Sequence, residues 1–187
     1  MIRAFLAVDL PASLRPVLSW AQGELKKSGA DVKWVSVGNI HITLKFFGNI
    51  TEAQVTDITE AVRALAVNQK PFTLKITDAG AFPSPKNPRV VWLGVAGDLE
   101  IMREFYRRLD KAFAALGFPQ EDRPFSPHLT LGRVKSPTGR VALTQSLVHL
   151  PAPEAPPFQV SEVVLFRSQL SPQGATYPPL KVIPLGR

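Results

Sequence analysis

The sequence predicts an α+β fold in which two pseudo-symmetric lobes flank a central cleft, each lobe a mostly antiparallel sheet with helices packed on it. Three observations predict it. Strand-like and helix-like stretches alternate along 187 residues, a length that suits one domain. The chain also matches itself when shifted by 87 positions, so that roughly residues 3–78 fall on residues 90–166. Finally, two of its three histidines land on each other in that shift.

The elements follow in order. Arg3–Leu10 (RAFLAVDL) and Val90–Gly97 (VVWLGVAG) are both apolar and strand-like. Pro11–Lys27 carries Leu14, Val17, Leu18, Ala21 and Leu25 at three- and four-residue steps, and Asp98–Ala114 does the same with Ile101, Phe105, Leu109, Ala112 and Phe113. Gly29 and Gly117 stand where a left-handed residue commonly ends a helix. The shift then sets His41-Ile42-Thr43-Leu44 on His128-Leu129-Thr130-Leu131, each a strand. Thr51–Val67 reads as a helix with Thr51 as its N-cap, and Phe72–Asp78 alternates as a strand. Ala79–Arg89, with three prolines, is expected to be a loop that joins the halves or forms one wall of the cleft. Val141–His149 is a shorter helix, Phe158–Phe166 one strand, Ser171–Thr176 a turn and Tyr177–Leu185 a final strand. His149 has no counterpart and is expected at the surface or capping a helix.

Composition narrows the chemistry. There is no cysteine, which removes disulfides and thiolate metal sites and is compatible with the cytoplasm. The apolar N-terminus contains Asp9 and lacks a cleavage signature, so it reads as a strand and not a signal peptide. No apolar run approaches the roughly 20 residues that span a bilayer. A net charge of +7 favours polyanionic partners, nucleic acid among them. Neither a Walker loop, a dinucleotide fingerprint nor a Gly-x-Ser-x-Gly elbow occurs.

On a strand, His41 and Thr43 share one face while Ile42 and Leu44 take the other, and the same holds for His128 and Thr130 against Leu129 and Leu131. Each motif therefore buries two aliphatic side chains and presents an imidazole beside a hydroxyl. Histidine exchanges a proton near neutrality, so one ring can act as base and the other as acid. Threonine hydroxyls can hold non-bridging phosphate oxygens. This is phosphodiester chemistry without a metal or other cofactor; two histidines without a matching carboxylate also fall short of the usual three zinc ligands. Arg133 is a further candidate for a phosphate, provided that a bulge near Gly132 returns it to the histidine face. Lys45 and Arg3 read as general positive field. Trp34, Phe46 and Phe47 offer a stacking face for a base, or two of them belong to the core.

With these residues in place, the chain resembles the two-histidine (2H) phosphoesterases, and within them the RNA 2′,3′-cyclic phosphodiesterases, also called 2′-5′ RNA ligases. The resemblance runs over nearly the whole chain and rests on RAFLAVDLP, KWVSVGNIHITLKFFGNI and FSPHLTLGRV. It implies a bilobal fold in which both motifs line a groove, and the opening of a terminal RNA 2′,3′-cyclic phosphate to a 2′-phosphate. It implies His41 as proton donor and His128 as proton acceptor, a distinction the residues alone do not make. Thr43 and Thr130 would hold the phosphate. The same resemblance carries the reverse reaction, an ATP-independent 2′-5′ ligation, as a side activity. A single cytoplasmic, monomeric domain acting on RNA ends is the expectation. A non-catalytic RNA-binding module and a phosphodiesterase for a small cyclic phosphate are the alternatives.

Overall fold

Alternation of apolar residues builds two antiparallel sheets, and a computed structural model describes residues 1–186 of them and their helices. The strands are β1 (Ile2–Asp9), β2 (Val32–Trp34), β3 (His41–Ile50), β4 (Phe72–Ser84), β5 (Asn87–Gly97), β6 (His128–Val134), β7 (Phe158–Val160), β8 (Glu162–Arg167), β9 (Gln169–Ser171), β10 (Gly174–Thr176) and β11 (Pro179–Pro184). The helices are α1 (Arg15–Lys26), α2 (Glu52–Ala66), α3 (Leu99–Ala115) and α4 (Arg140–His149). One sheet has the order β11-β8-β1-β3, the other β2-β6-β5-β4-β7, and β9 and β10 form a separate hairpin.

The two halves of the repeat do not each keep to one sheet. β1 and β3 pair with each other, but β1 takes β8 from the second half as its other neighbour. Likewise β5 and β6 pair, and β5 takes β4 from the first half. Each sheet thus joins a strand and a histidine strand of one half to a strand of the other.

The same alternation decides which face is core. From β1, Ala4, Leu6 and Val8 enter the main core, while Phe5 and Ala7 join Val164 and Phe166 in a second cluster on the opposite face. In the larger sheet Leu74, Ile76, Leu93, Leu129 and Leu131 enter the main core with the apolar stripes of the four helices. The helices follow their stripes and caps. α2 begins with a capping box, in which the Thr51 hydroxyl accepts from the Gln54 N–H and the Gln54 side chain accepts from the Thr51 N–H. Gly29 and Gly117 have φ of 69° and 96°, the left-handed turns expected at the ends of α1 and α3.

Three segments differ from the sequence expectation. Ala79–Arg89 is not a loop but the tip of the β4–β5 hairpin, because the prolines that lack an N–H stand beyond the central ladder, with Pro83 opposite Pro88. Phe158–Phe166 is broken at Ser161, so that β7 finishes the larger sheet and β8 enters the smaller. Ser171–Thr176 is part of the β9–β10 hairpin.

Candidate active site

β3 is an edge strand of its sheet and runs close to β6 of the other sheet, which brings both histidine strands to one cleft. Their local structures match in detail. In β3, Thr43 pairs with Ala7 and Lys45 with Leu6, leaving Leu44 as an extra residue. In β6, Thr130 pairs with Trp92 and Gly132 with Val91, leaving Leu131 extra. Both are β-bulges directly after the motif threonine. Leu44 and Leu131 remain buried in the core. The carbonyl of Leu131 is held by the Val35 N–H at 2.8 Å and by the buried Gln22 amide of α1 at 3.0 Å.

The bulges reverse the alternation, with consequences for three side chains. Phe46 returns to the cleft face and is 48% exposed, with the Arg3 guanidinium 5.0 Å from its ring centre. Arg133 returns to the face of His128 and is exposed. Lys45, in contrast, turns inward and is only 5% exposed. Its ammonium donates to the Pro119 carbonyl at 2.7 Å, to Glu121 at 3.0 Å and to Asp110 at 3.2 Å. Lys45 is therefore no part of a general positive field. It ties the first motif strand to α3 and to the segment that leads into His128. Tyr106 of α3 stacks on Phe125 in that segment at 4.1 Å, and its phenol is pushed up to about 12 by burial and by the charges of Asp110 and Glu121.

Each imidazole is oriented by a backbone carbonyl two residues earlier. His41 Nδ1 lies 2.7 Å from the Asn39 carbonyl, and His128 Nδ1 lies 2.8 Å from the Ser126 carbonyl. A carbonyl only accepts, so both rings carry their neutral proton on Nδ1 and leave Nε2 to exchange protons. Asn39 and Ser126 occupy equivalent places in the 87-residue shift, a signal already present in the chain. The Asn39 side chain also donates to the Ala175 carbonyl at 2.9 Å, which anchors the β9–β10 hairpin beside the first motif.

The surroundings of the two rings differ. His41 stacks on Phe5 at 4.8 Å and meets the edge of Tyr177 at 5.6 Å. Its Nε2 is 2.9 Å from the Thr43 hydroxyl, which donates to the neutral ring and accepts from the protonated one. Burial lowers its pKa below 6.5, opposed by the Asn39 carbonyl and by the charge of Asp9, and the charge of His128 lowers it further. His128 meets the Phe82 ring edge-on at 5.0 Å and opens into a cleft of about 700 Å³ together with Thr43, Phe46, Arg89, Arg123 and Phe125. Beneath it Trp92 lies across Gly80, where any Cβ would sit 2.3 Å from the indole. Thr130 is partly exposed beside it on β6.

The remaining candidates lie elsewhere. Phe47 is buried against Phe113 and Phe118, Trp34 is partly buried with the Lys26 ammonium 5.9 Å from its ring, and His149 ends α4 with Nδ1 donating to the Gln145 carbonyl at 2.8 Å. Phe5, Phe166 and Tyr177, which enclose His41, come from three separated segments, and no spacing in the sequence marks them as neighbours. Among the described residues no three His, Cys, Asp or Glu side chains gather as a metal ion would need.

A family model described as LigT like phosphoesterase matches residues 8–92 and 97–177. A protein of Methanothermobacter thermautotrophicus named RNA 2′,3′-cyclic phosphodiesterase is 44% identical over 184 residues, covering 98% of this chain and 99% of its own. One of the same name from Archaeoglobus fulgidus is 38% identical over 186 residues, covering 97% and 99%. Among solved structures, E. coli LigT in apo form superposes with a TM-score of 0.81 at 28% identity, over 100% of this chain and 98% of the other. E. coli LigT complexed with 3′-AMP gives 0.81 at 28% identity, over 100% and 99%.

Proposed function

Because this chain belongs to the LigT-like phosphoesterase family, we propose that it opens the 2′,3′-cyclic phosphate at an RNA end to leave a 2′-phosphate. The observation that carries the mechanism is the matched pair of imidazoles, each with Nδ1 tied to a carbonyl so that Nε2 is the working atom. His128 Nε2 takes a proton from water as its oxygen attacks phosphorus. The bond from phosphorus to the 3′ oxygen breaks, and His41 Nε2 supplies the proton that oxygen needs. One proton enters the pair and one leaves it, so the rings end with exchanged protonation states and water resets them. Thr43 and Thr130 donate to the non-bridging oxygens, where charge accumulates in the transition state. Arg133, returned to the histidine face by the bulge, pairs with the substrate phosphate through its guanidinium.

The lowered pKa of His41 fits a donor that is charged by its substrate. The anionic phosphate beside Nε2 favours the protonated ring, so the acid form accompanies binding. The exposed Phe46 supplies a stacking face for the terminal base. The structure of E. coli LigT with 3′-AMP supports a nucleotide 3′ end as the ligand class. A 5′-hydroxyl in place of water gives a 2′-5′ linkage by the same steps, without ATP. We place this activity in the cytoplasm and in a monomer; among the described residues no helix is long and apolar enough to cross a membrane.

The test is product analysis on an oligonucleotide with a cyclic phosphate end, in EDTA. A 2′-phosphate product supports the proposal. A 3′-phosphate reverses the bond that breaks, and binding without turnover returns the protein to a non-catalytic RNA-binding role.

A further inference from the structure

The two histidines enter the cleft from different sheets, and no ladder joins β3 to β6. Their relative placement therefore depends on side chains that cross from one sheet to the other. We infer that Lys45 is a positioning residue for the proton acceptor: from the first motif strand it holds residues 118–126, and with them the carbonyl that orients His128. The inference rests on the reaction proposed above.

Three features carry it. First, the ammonium has three donors and all three are used. One carboxylate, that of Asp110 in α3, is enough to neutralise a buried lysine. The other two bonds go to the Pro119 carbonyl at 2.7 Å and the half-exposed Glu121 carboxylate at 3.0 Å, in a stretch that is neither helix nor strand. Asp110 in turn accepts the Glu121 N–H at 3.2 Å, so that this stretch is gripped through both its side chain and its backbone.

Second, the stretch has little internal support. Among the described residues, 122–127 make no backbone–backbone hydrogen bond. The next hold after Glu121 is the stack of Phe125 on Tyr106, at 4.1 Å and 5°. Yet Arg123, Phe125 and Ser126 line the cleft, and the Ser126 carbonyl fixes His128 Nδ1.

Third, the first motif needs no such help. Asn39 sits in a tight turn where its N–H donates to the Ser36 carbonyl at 2.8 Å, and its side chain donates to Ala175. The carbonyl behind His41 is thus fixed locally. In the 87-residue shift Lys45 falls on Gly132 and Asp110 on Gly23, so the repeat supplies neither partner a second time. At Gly132 a Cβ would already meet Val32 at 2.6 Å. The tie runs one way, from the motif that is locally built to the one that is not. Without it the His128 ring loses its fixed angle and its Nδ1–H form, while the groups that hold phosphate stay in place. The loss then falls on kcat and spares KM.

The experiment uses three variants of the full chain on a cyclic-phosphate-ended oligonucleotide. E121A cuts one bond and leaves the buried pair intact. K45M/D110N removes both buried charges together, so that no lone charge stays in the core. R107A removes an exposed ion pair of α3 as a control. We expect kcat to fall about tenfold in E121A and about 10²-fold in K45M/D110N, with KM unchanged, and R107A to match the unmodified protein. Imidazole ¹⁵N NMR is recorded in parallel. His128 is expected to pass from the Nδ1–H form to a mixture of tautomers in both cleft variants, while His41 keeps its form. Unchanged kcat in a double variant that folds overturns the inference and leaves Lys45 a core ion pair. Loss of kcat with no change at His128, or equal changes at both histidines, overturns it as well. If the double variant does not fold, E121A decides by the same readouts. If the unmodified protein turns over no cyclic end, the catalytic proposal fails, and the His128 signal still decides the role of Lys45.

Discussion

The environments of His41 and His128 begin from one motif and end differently. Both rings are held by the carbonyl two residues before them, and both motifs are followed by a bulge. Yet His41 is enclosed by Phe5, Phe166 and Tyr177 with its Nε2 bonded to Thr43, while His128 touches Phe82 edge-on and opens to the cleft. The repeat delivers two imidazoles held in equivalent ways. What makes them unequal is what the equivalent strands carry, since β8 and the Tyr177 segment bring Phe166 and Tyr177 to His41 while β4, the counterpart of β8, meets His128 only through the edge of Phe82. Symmetric strands therefore place the pair, and asymmetric packing sets its protonation.

The strongest way to break the comparison is to remove each ring in turn. His41→Ala and His128→Ala are each expected to lower kcat on a cyclic-ended oligonucleotide about 10³-fold. A loss confined to one variant would show that the two do not work as a pair. Lys45→Met comes next, because it leaves Asp110 buried without its cation. We expect about 3 kcal/mol of lost stability in urea unfolding, the scale for one partner taken from a buried ion pair. A loss no larger than that of a surface substitution would mean that the motif strands need no such tie. Thr43→Val and Thr130→Val should each reduce kcat roughly 10²-fold, as when one phosphate-oxygen donor is removed. Thr43→Val alone should also alter the pH profile, since only Thr43 bonds its histidine.

The smallest effect concerns pH. Activity falls on the acid side once both rings are protonated. His41 accepts its proton only below the ordinary range, so that limb of kcat/KM lies below about pH 6.5. Asp9 raises the His41 pKa, and Asp9→Asn therefore moves the limb to lower pH. Movement to higher pH contradicts the assigned cause.

Much of this arrangement was legible in the chain. Strand alternation placed His41 with Thr43 and His128 with Thr130, and apolar spacing placed α1, α2 and α3, with Val141–His149 read as a shorter helix. Position in the repeat even paired the Asn39 and Ser126 carbonyls. What was illegible depends on neighbours distant in sequence. The break at Ser161 is a choice between two sheets, decided by which edge each short strand can complete. Lys45 reads as an exposed strand cation until the bulge at Leu44 turns it inward, where Asp110 and Glu121 meet it. Tyr177 and Phe166 cover His41 because β8 joins the sheet of β1, a pairing that no local pattern encodes.

In the proposed reaction the two rings divide the labour of donor and acceptor, and a substrate with sulfur in place of the leaving 3′ oxygen tests that division most directly. A thiolate departs without a proton, so it bypasses the donor and still requires the acceptor. On this substrate His41→Ala should recover to within about tenfold of the unmodified protein, while His128→Ala stays about 10³-fold down. Recovery of His128→Ala instead, or equal losses in both variants, would contradict the assignment.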